Sequence, residues 1–182
     1  QEFRNLLHLQ SLGVPAVEAV ACGVERNAWG MVRSTFVITR YVEGWLDLRG
    51  WQRGHGPGVA EGEARRDQIL AQAGRLFRRI HAAGFFLFTP KAANILIRPG
   101  EAGTPLLLFL DLPRARKVST GLLQGFAQAR DLGVFLQGFP RDGGPADWEP
   151  FYGEYLPDPL GGSQDALRRR VEREVLAQRN HT

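Results

Sequence analysis

The residues with most chemistry to offer are Asn94 and Asp111. Asn94 opens the apolar segment NILI and Asp111 closes the run PLLLFLD, so two neighbouring strands would deliver an amide and a carboxylate to one rim. Both are hard oxygen donors. A magnesium ion takes one or two such side chains and completes its shell with water and phosphate oxygens. The pair therefore suits a metal that holds a nucleotide phosphate. Plainer uses compete. Asn caps turns readily, and Asp111 could be neutralised by Arg114 or Arg116, since a buried carboxylate without a partner is costly. Lys91, three residues before Asn94, is one of two lysines in the chain, the other being Lys117. It is either a phosphate contact or a surface charge.

The elements that must position these residues follow from hydrophobic spacing. Phe3, Leu6, Leu7, Leu9 and Leu12 fall close to helical spacing, and Gly13 and Pro15 stop that helix. Residues 17–24 and 34–44 read as strands on either side of a turn at ERNAWGM. GWLDLRGW reads as a short helix or surface loop, and RGHGPGVAEGE (residues 53–63) as a polar connector. Its glycines do not make a phosphate loop, because no strong strand leads into them. Over residues 63–81, Ile69, Ala73, Leu76 and Ile80 form one apolar stripe, widened by Leu70 and Phe77, and Gly84 ends the helix. Strands at 94–98 and 106–112 follow, joined by the turn PGEAGTP. Helices are expected at 120–137, 147–155 and 164–179, the last with Ser163 as N-cap.

Composition sets the outer bounds. The chain of 182 residues is 43% hydrophobic and 23% charged, enough apolar material for one good-sized folded domain, or for one domain plus a fragment of another. The net charge of +4 is carried by arginine, which suits phosphate and carboxylate partners through its forked donors, although base composition alone can enrich it. Those arginines are dispersed, and no nucleic-acid-binding module is present, so nucleic acid is not an expected partner. Cys22 is the single cysteine, which excludes an intrachain disulfide and a thiolate zinc site. No apolar run approaches the roughly 20 residues of a membrane span. RRR at 168–170 could meet anionic head groups, but Glu172 and Glu174 temper it and favour a solvated helix face.

Six segments carry a resemblance: EFRNLLHLQSLGVP, FVITRYVEG, HAAGFF, NILI, LDLPRAR and ARDL. In this order and at these spacings, the chain from Glu2 to about Tyr155 resembles the lipopolysaccharide kinase family, the core-heptose and Kdo kinases of Gram-negative bacteria. The resemblance implies an α+β, protein-kinase-like fold with a truncated N-lobe and a mainly helical C-lobe. Residues 1–44 would be the partial N-lobe, up to the hinge, and 45–182 the C-lobe. It implies ATP and Mg²⁺ as cofactors, with Asn94 and Asp111 as metal ligands and Lys91 on the transferred phosphate. Glu2 takes the place of the helix Glu that pairs with a nucleotide-anchoring Lys. Thr39 falls at the back of the nucleotide pocket, and Tyr41 and Val42 fall in the hinge that meets adenine. Asp131 resembles the helix Asp that tethers the catalytic loop, and His81 the helix-end His.

Two positions depart from the pattern. The kinase loop reads H-x-D-x-x-x-x-N, and counting back from Asn94 puts Thr89 at the Asp place and Leu87 at the His place. Threonine cannot take a substrate proton near neutral pH as a carboxylate can. Glu43 and Asp47 are carboxylates that could stand in, without support from spacing. The Gly-rich loop and anchoring Lys of the family are also missing, because the chain opens at the helix after them, so a fragment is expected. Two functions follow: ATP/Mg²⁺-dependent phosphoryl transfer to a heptose or Kdo of the lipopolysaccharide core, or an inactive pseudokinase acting as a binding or regulatory module. The resemblance further implies lipopolysaccharide core or a lipid A precursor as partner. It places the protein in the bacterial cytoplasm, in peripheral contact with the inner membrane.

Overall fold

The structure is a computed structural model and describes residues 1–54, 60–100, 103–119, 121–139, 145–156 and 162–179. It begins with helix α1, Glu2–Ser11, which buries Asn5, Leu6 and Leu9 on one face. Gly13 ends the helix with φ +67°, where a side chain would be strained. The Val14 N–H reaches the Leu9 carbonyl at 3.0 Å and the Gly13 N–H reaches that of Gln10 at 2.9 Å, the two bonds of a Schellman cap. This is the stop that Gly13 and Pro15 foretold.

Strands β1 (Ala19–Arg26) and β2 (Val32–Thr39) form an antiparallel hairpin. Its turn is held by Asn27, whose Oδ1 accepts from the N–H groups of Trp29 and Met31, each at 3.0 Å. β2 ends at Thr39, earlier than the strand expected over 34–44. The Arg40 N–H still reaches Glu18 at 2.8 Å, but the chain then turns away through Gly44 at φ +75°.

GWLDLRGW resolves into a strand and a helix together. β3 (Leu46–Asp47) pairs with a later strand, and α2 (Leu48–Gly54) follows at once. Asp47 Oδ1 accepts from the Gly50 N–H at 2.8 Å, an N-cap bond. Of the expected connector, residues 55–59 lie outside the described residues. Helix α3 runs Ala60–Ala82 and buries the expected stripe: Ile69, Leu70, Ala73, Leu76, Phe77 and Ile80.

Next come β4 (Phe85–Phe86), a 3₁₀ turn at Ala92–Asn94, and the hairpin of β5 (Ile95–Pro99) and β6 (Pro105–Phe109). β3, β5 and β6 make a three-stranded sheet in that order, and β4 pairs with β7 (Arg116–Lys117). The rest is helical: α4 (Gly121–Leu136), a 3₁₀ turn at Pro145–Trp148, α5 (Glu149–Tyr155) and α6 (Gly162–Arg179). α6 begins one residue before Ser163, so Ser163 is inside the helix and not its cap.

The core gathers on α3. Phe77 packs edge-on to Phe109 of β6 and lies 5.1 Å from Phe135 of α4 and 6.0 Å from Phe151 of α5, centroid to centroid. α3 and α5 approach so closely that a Cβ on Gly74 would lie 2.4 Å from the Phe151 carbonyl oxygen. Gly74→Ala is therefore expected to cost about 1–3 kcal/mol by overpacking. Thermal denaturation should show a midpoint lower by roughly 2–4 °C for each kcal/mol lost. An unchanged midpoint would mean that the two helices separate freely.

Candidate active site

The β5–β6 hairpin brings the two candidate metal ligands together. Ile95 is opposite Phe109 in the register, so Asn94 and Asp111 leave the sheet at the same end, and the Leu110 N–H extends the ladder to the Asn94 carbonyl at 3.0 Å. Asn94 Nδ2 donates to Asp111 Oδ2 at 3.2 Å and to the Asp111 carbonyl at 3.4 Å. Asp111 itself sits at φ +53°, a conformation that Asp tolerates better than most residues. Among the described residues, neither Arg114 nor Arg116 pairs with it. With Asn94 donating through nitrogen, its side-chain oxygen and the second Asp111 oxygen remain as a hard donor set, which fits a magnesium ion.

Helix α1 abuts the same point. Burial, and after it the neighbouring Asp111 charge, raise the Glu2 carboxyl above its ordinary pKa. Two carboxylates held near each other favour a cation close by. The helix is locked in place by Asn5, which is buried and donates to the Leu112 carbonyl at 2.6 Å. Gln1 Nε2 in turn donates to Asn5 Oδ1 at 3.0 Å.

The loop leading to Asn94 is held from beneath by Asp131 of α4, which is fully buried. Its carboxylate accepts from the Leu87 N–H at 2.6 Å and the Phe88 N–H at 2.5 Å. Phe88 adopts φ +63°, which is strained for a bulky side chain, and these bonds help to hold it there. His81 Nε2 lies 3.2 Å from the same carboxylate, and His81 Nδ1 lies 2.7 Å from the Tyr155 hydroxyl. Burial above all pushes the Tyr155 phenol up, so it keeps its proton at neutral pH. The Asp131 carboxylate can only accept, which assigns the proton of a neutral His81 to Nε2 and leaves Nδ1 to accept from the Tyr155 hydroxyl. Gln128 Nε2 completes the chain by donating to the Tyr155 oxygen at 2.5 Å.

Within the loop, the Lys91 N–H reaches the Thr89 carbonyl and the Asn94 N–H reaches the Lys91 carbonyl, each at 2.8 Å. Thr89 is half-buried, with Leu87 fully buried two residues earlier. Lys91 is exposed and makes no ion pair among the described residues. Thr39, Tyr41 and Val42 lie where β2 gives way to loop, and Tyr41 is exposed. No hydrogen bond or ring contact among the described residues joins these three to Asn94 or Asp111. Asp47 is committed to capping α2. Of the RRR stretch, Arg168 pairs with Glu149 and stacks on Tyr152 at 4.6 Å.

Four residues of the site gave no sequence signal that was used: Asn5, Phe88, Gln128 and Tyr155. Only Asn5 had one to give, since a polar, poor helix former on the apolar face of a helix usually has a bonding partner.

A protein-family comparison matches residues 1–155 to the lipopolysaccharide kinase (Kdo/WaaP) family. The chain belongs to that family. No curated protein matches it in sequence. Among solved structures it is similar to one described as WaaP in complex with acyl carrier protein, with a TM-score of 0.75 and 20% identity. That likeness covers 97% of this chain and 75% of the other. The fold is thus the α+β, kinase-like fold of the lipopolysaccharide kinases. Within it, the helix Asp of ARDL does tether the loop before Asn94.

Proposed function

We propose that this lipopolysaccharide-kinase-family chain transfers the terminal phosphoryl group of ATP to a sugar hydroxyl of the lipopolysaccharide core, a heptose or Kdo. The observation behind this reading is the contact of Asn94 with Asp111 at 3.2 Å, at the end of a loop braced by a buried Asp131. Asn94 and Asp111 would hold Mg²⁺, which when bound offsets negative charge on the phosphates being parted. Lys91 reaches from the loop toward the transferred group. Glu2 supplies the carboxylate for a cation beside Asp111, and Thr39, Tyr41 and Val42 border the adenine end. In the transfer, the acceptor oxygen forms a bond to the terminal phosphorus as the bond to ADP breaks. The hydroxyl proton passes to water, because Thr89 cannot take it. Phosphoryl transition states are loose, so positioning and charge carry much of the rate and the loss of a base slows the reaction without abolishing it. On this reading residues 1–44 act as the N-lobe part and 45–182 as the C-lobe.

A peripheral site on the cytoplasmic face of a bacterial inner membrane suits such an acceptor. Among the described residues no helix is long and apolar enough to cross a membrane. A pseudokinase is the second reading, favoured by Thr89 and Leu87 standing beside an intact Asn94 and Asp111. Radiolabelled ATP offered with core oligosaccharide separates the two. Slow, Mg²⁺-dependent label transfer is the expected result, whereas nucleotide binding without any transfer would leave the pseudokinase.

A further inference from the structure

We propose that the cleft between the segment after Asp111 and helix α4 is an anion site for a phosphate monoester carried by the saccharide acceptor. The cleft measures about 610 Å³ and is lined by Arg114 and Arg116 of that segment, Arg130 of α4, Phe88 of the loop, and Gln1. Its size is within the range of small-molecule sites. Three arginines line it, and among the described residues none pairs with a carboxylate. Four arginines elsewhere do pair with carboxylates: Arg33 with Glu25, Arg40 with Glu18, Arg75 with Glu154 and Arg168 with Glu149. Unpaired cations crowded in one cleft repel each other, and a phosphate relieves that repulsion while accepting forked, charge-assisted hydrogen bonds.

Arg116 and Arg130 are also anchored, while Arg114 is exposed. Arg116 lies over the Phe88 ring at 4.5 Å, and Phe88 is fixed by Asp131. Arg130 is half-buried and precedes Asp131 on α4. The cleft and the loop that carries Thr89 therefore share one brace, as a site for the acceptor requires. Neither Asn94 nor Asp111 lines the cleft, nor do residues 39–42. The word acceptor rests on that proposed function, while the anion site itself does not.

The probe is glucose 1-phosphate, titrated calorimetrically into the whole chain, with glucose as the uncharged control. Arg114→Gln combined with Arg130→Gln is expected to weaken glucose 1-phosphate at least about tenfold. The same double variant should keep its thermal midpoint within about 2 °C and its Mg·ATP affinity within about twofold. Each single variant should show part of the loss, and Arg116→Lys, which keeps the charge but not the stacked fork, should also weaken binding. Equal binding of glucose, or of glucose 1-phosphate by wild type and double variant, would overturn the proposal. So would an equal loss of Mg·ATP, which would make the cleft a nucleotide subsite. Arginine-dependent binding of phosphatidylglycerol vesicles without binding of glucose 1-phosphate would overturn it in favour of a lipid head group. Arginine-dependent glucose 1-phosphate binding by a chain that ignores Mg·ATP would uphold the anion site and defeat the nucleotide reading instead.

Discussion

Thr89→Asp is expected to raise phosphoryl transfer to the core sugar about 10²- to 10⁴-fold, the usual contribution of a positioned general base. The loop that would carry such a base is already braced. The Leu87 and Phe88 N–H groups are fixed on Asp131, the loop is pinned again by bonds through Lys91, and Asn94 meets Asp111 at its end. Asp is close to Thr in volume, and position 89 is half-buried, so the new carboxylate retains access to water and can ionise. The gain should appear in kcat, with the KM for ATP little changed, because a base acts on the acceptor proton and not on the nucleotide. A steady-state assay of the variant with Mg·ATP and core oligosaccharide reads this directly. If Thr89→Asp binds nucleotide as wild type does and still transfers nothing, the acceptor side of the site is also lost, and the pseudokinase reading stands.

Asp131→Ala, on α4, is expected to loosen the loop more than any other single change. It removes the acceptor of two buried N–H groups and the partner of His81 Nε2 in one step. Breaking a buried charged network on one side costs about 3–5 kcal/mol, since the remaining donors stay desolvated. For a chain of this size that corresponds to a thermal midpoint lower by roughly 6–20 °C. Phe88 should then relax from its positive φ, so amide exchange at Leu87 and Phe88 should accelerate more than in the α3 core. Asp131→Asn should lose less, because one acceptor oxygen remains while its NH₂ opposes a backbone donor. Equal exchange rates in wild type and Asp131→Ala would mean that the tether is not what holds the loop.

Much of this arrangement was legible from the chain alone, for physical reasons that differ between residues. Asn94 stands at the entry of one apolar strand and Asp111 after the exit of the next, and the period and turn of both are local, so their proximity follows from a hairpin register. Gly13 marks its helix end because only glycine accepts that backbone angle cheaply. Asp131 could be read through ARDL, and the structure gives it the two backbone bonds that such an Asp implies. What escaped depends on packing across long sequence separations. Tyr155 meets His81 only because α5 packs on α3 through Gly74. Asn5 reaches a carbonyl 107 residues away. β4 and β7 are two-residue strands with no period to detect. The end of β2 was placed too late for a related reason. Residues 40–43 have strand-like composition, but after Arg40 the Gly44 turn takes the chain out of the sheet.

Calorimetric titration of Mg·ATP tests most directly whether Asn94 and Asp111 form a working metal–nucleotide site. Wild-type chain should release heat on binding only with Mg²⁺ present. Asp111→Ala should lose that heat, since the remaining Asn94 amide is too weak a donor to hold the ion alone. Binding that survives in Asp111→Ala, or that is indifferent to Mg²⁺, would contradict the assignment, and no binding by the wild-type chain would remove the nucleotide site altogether.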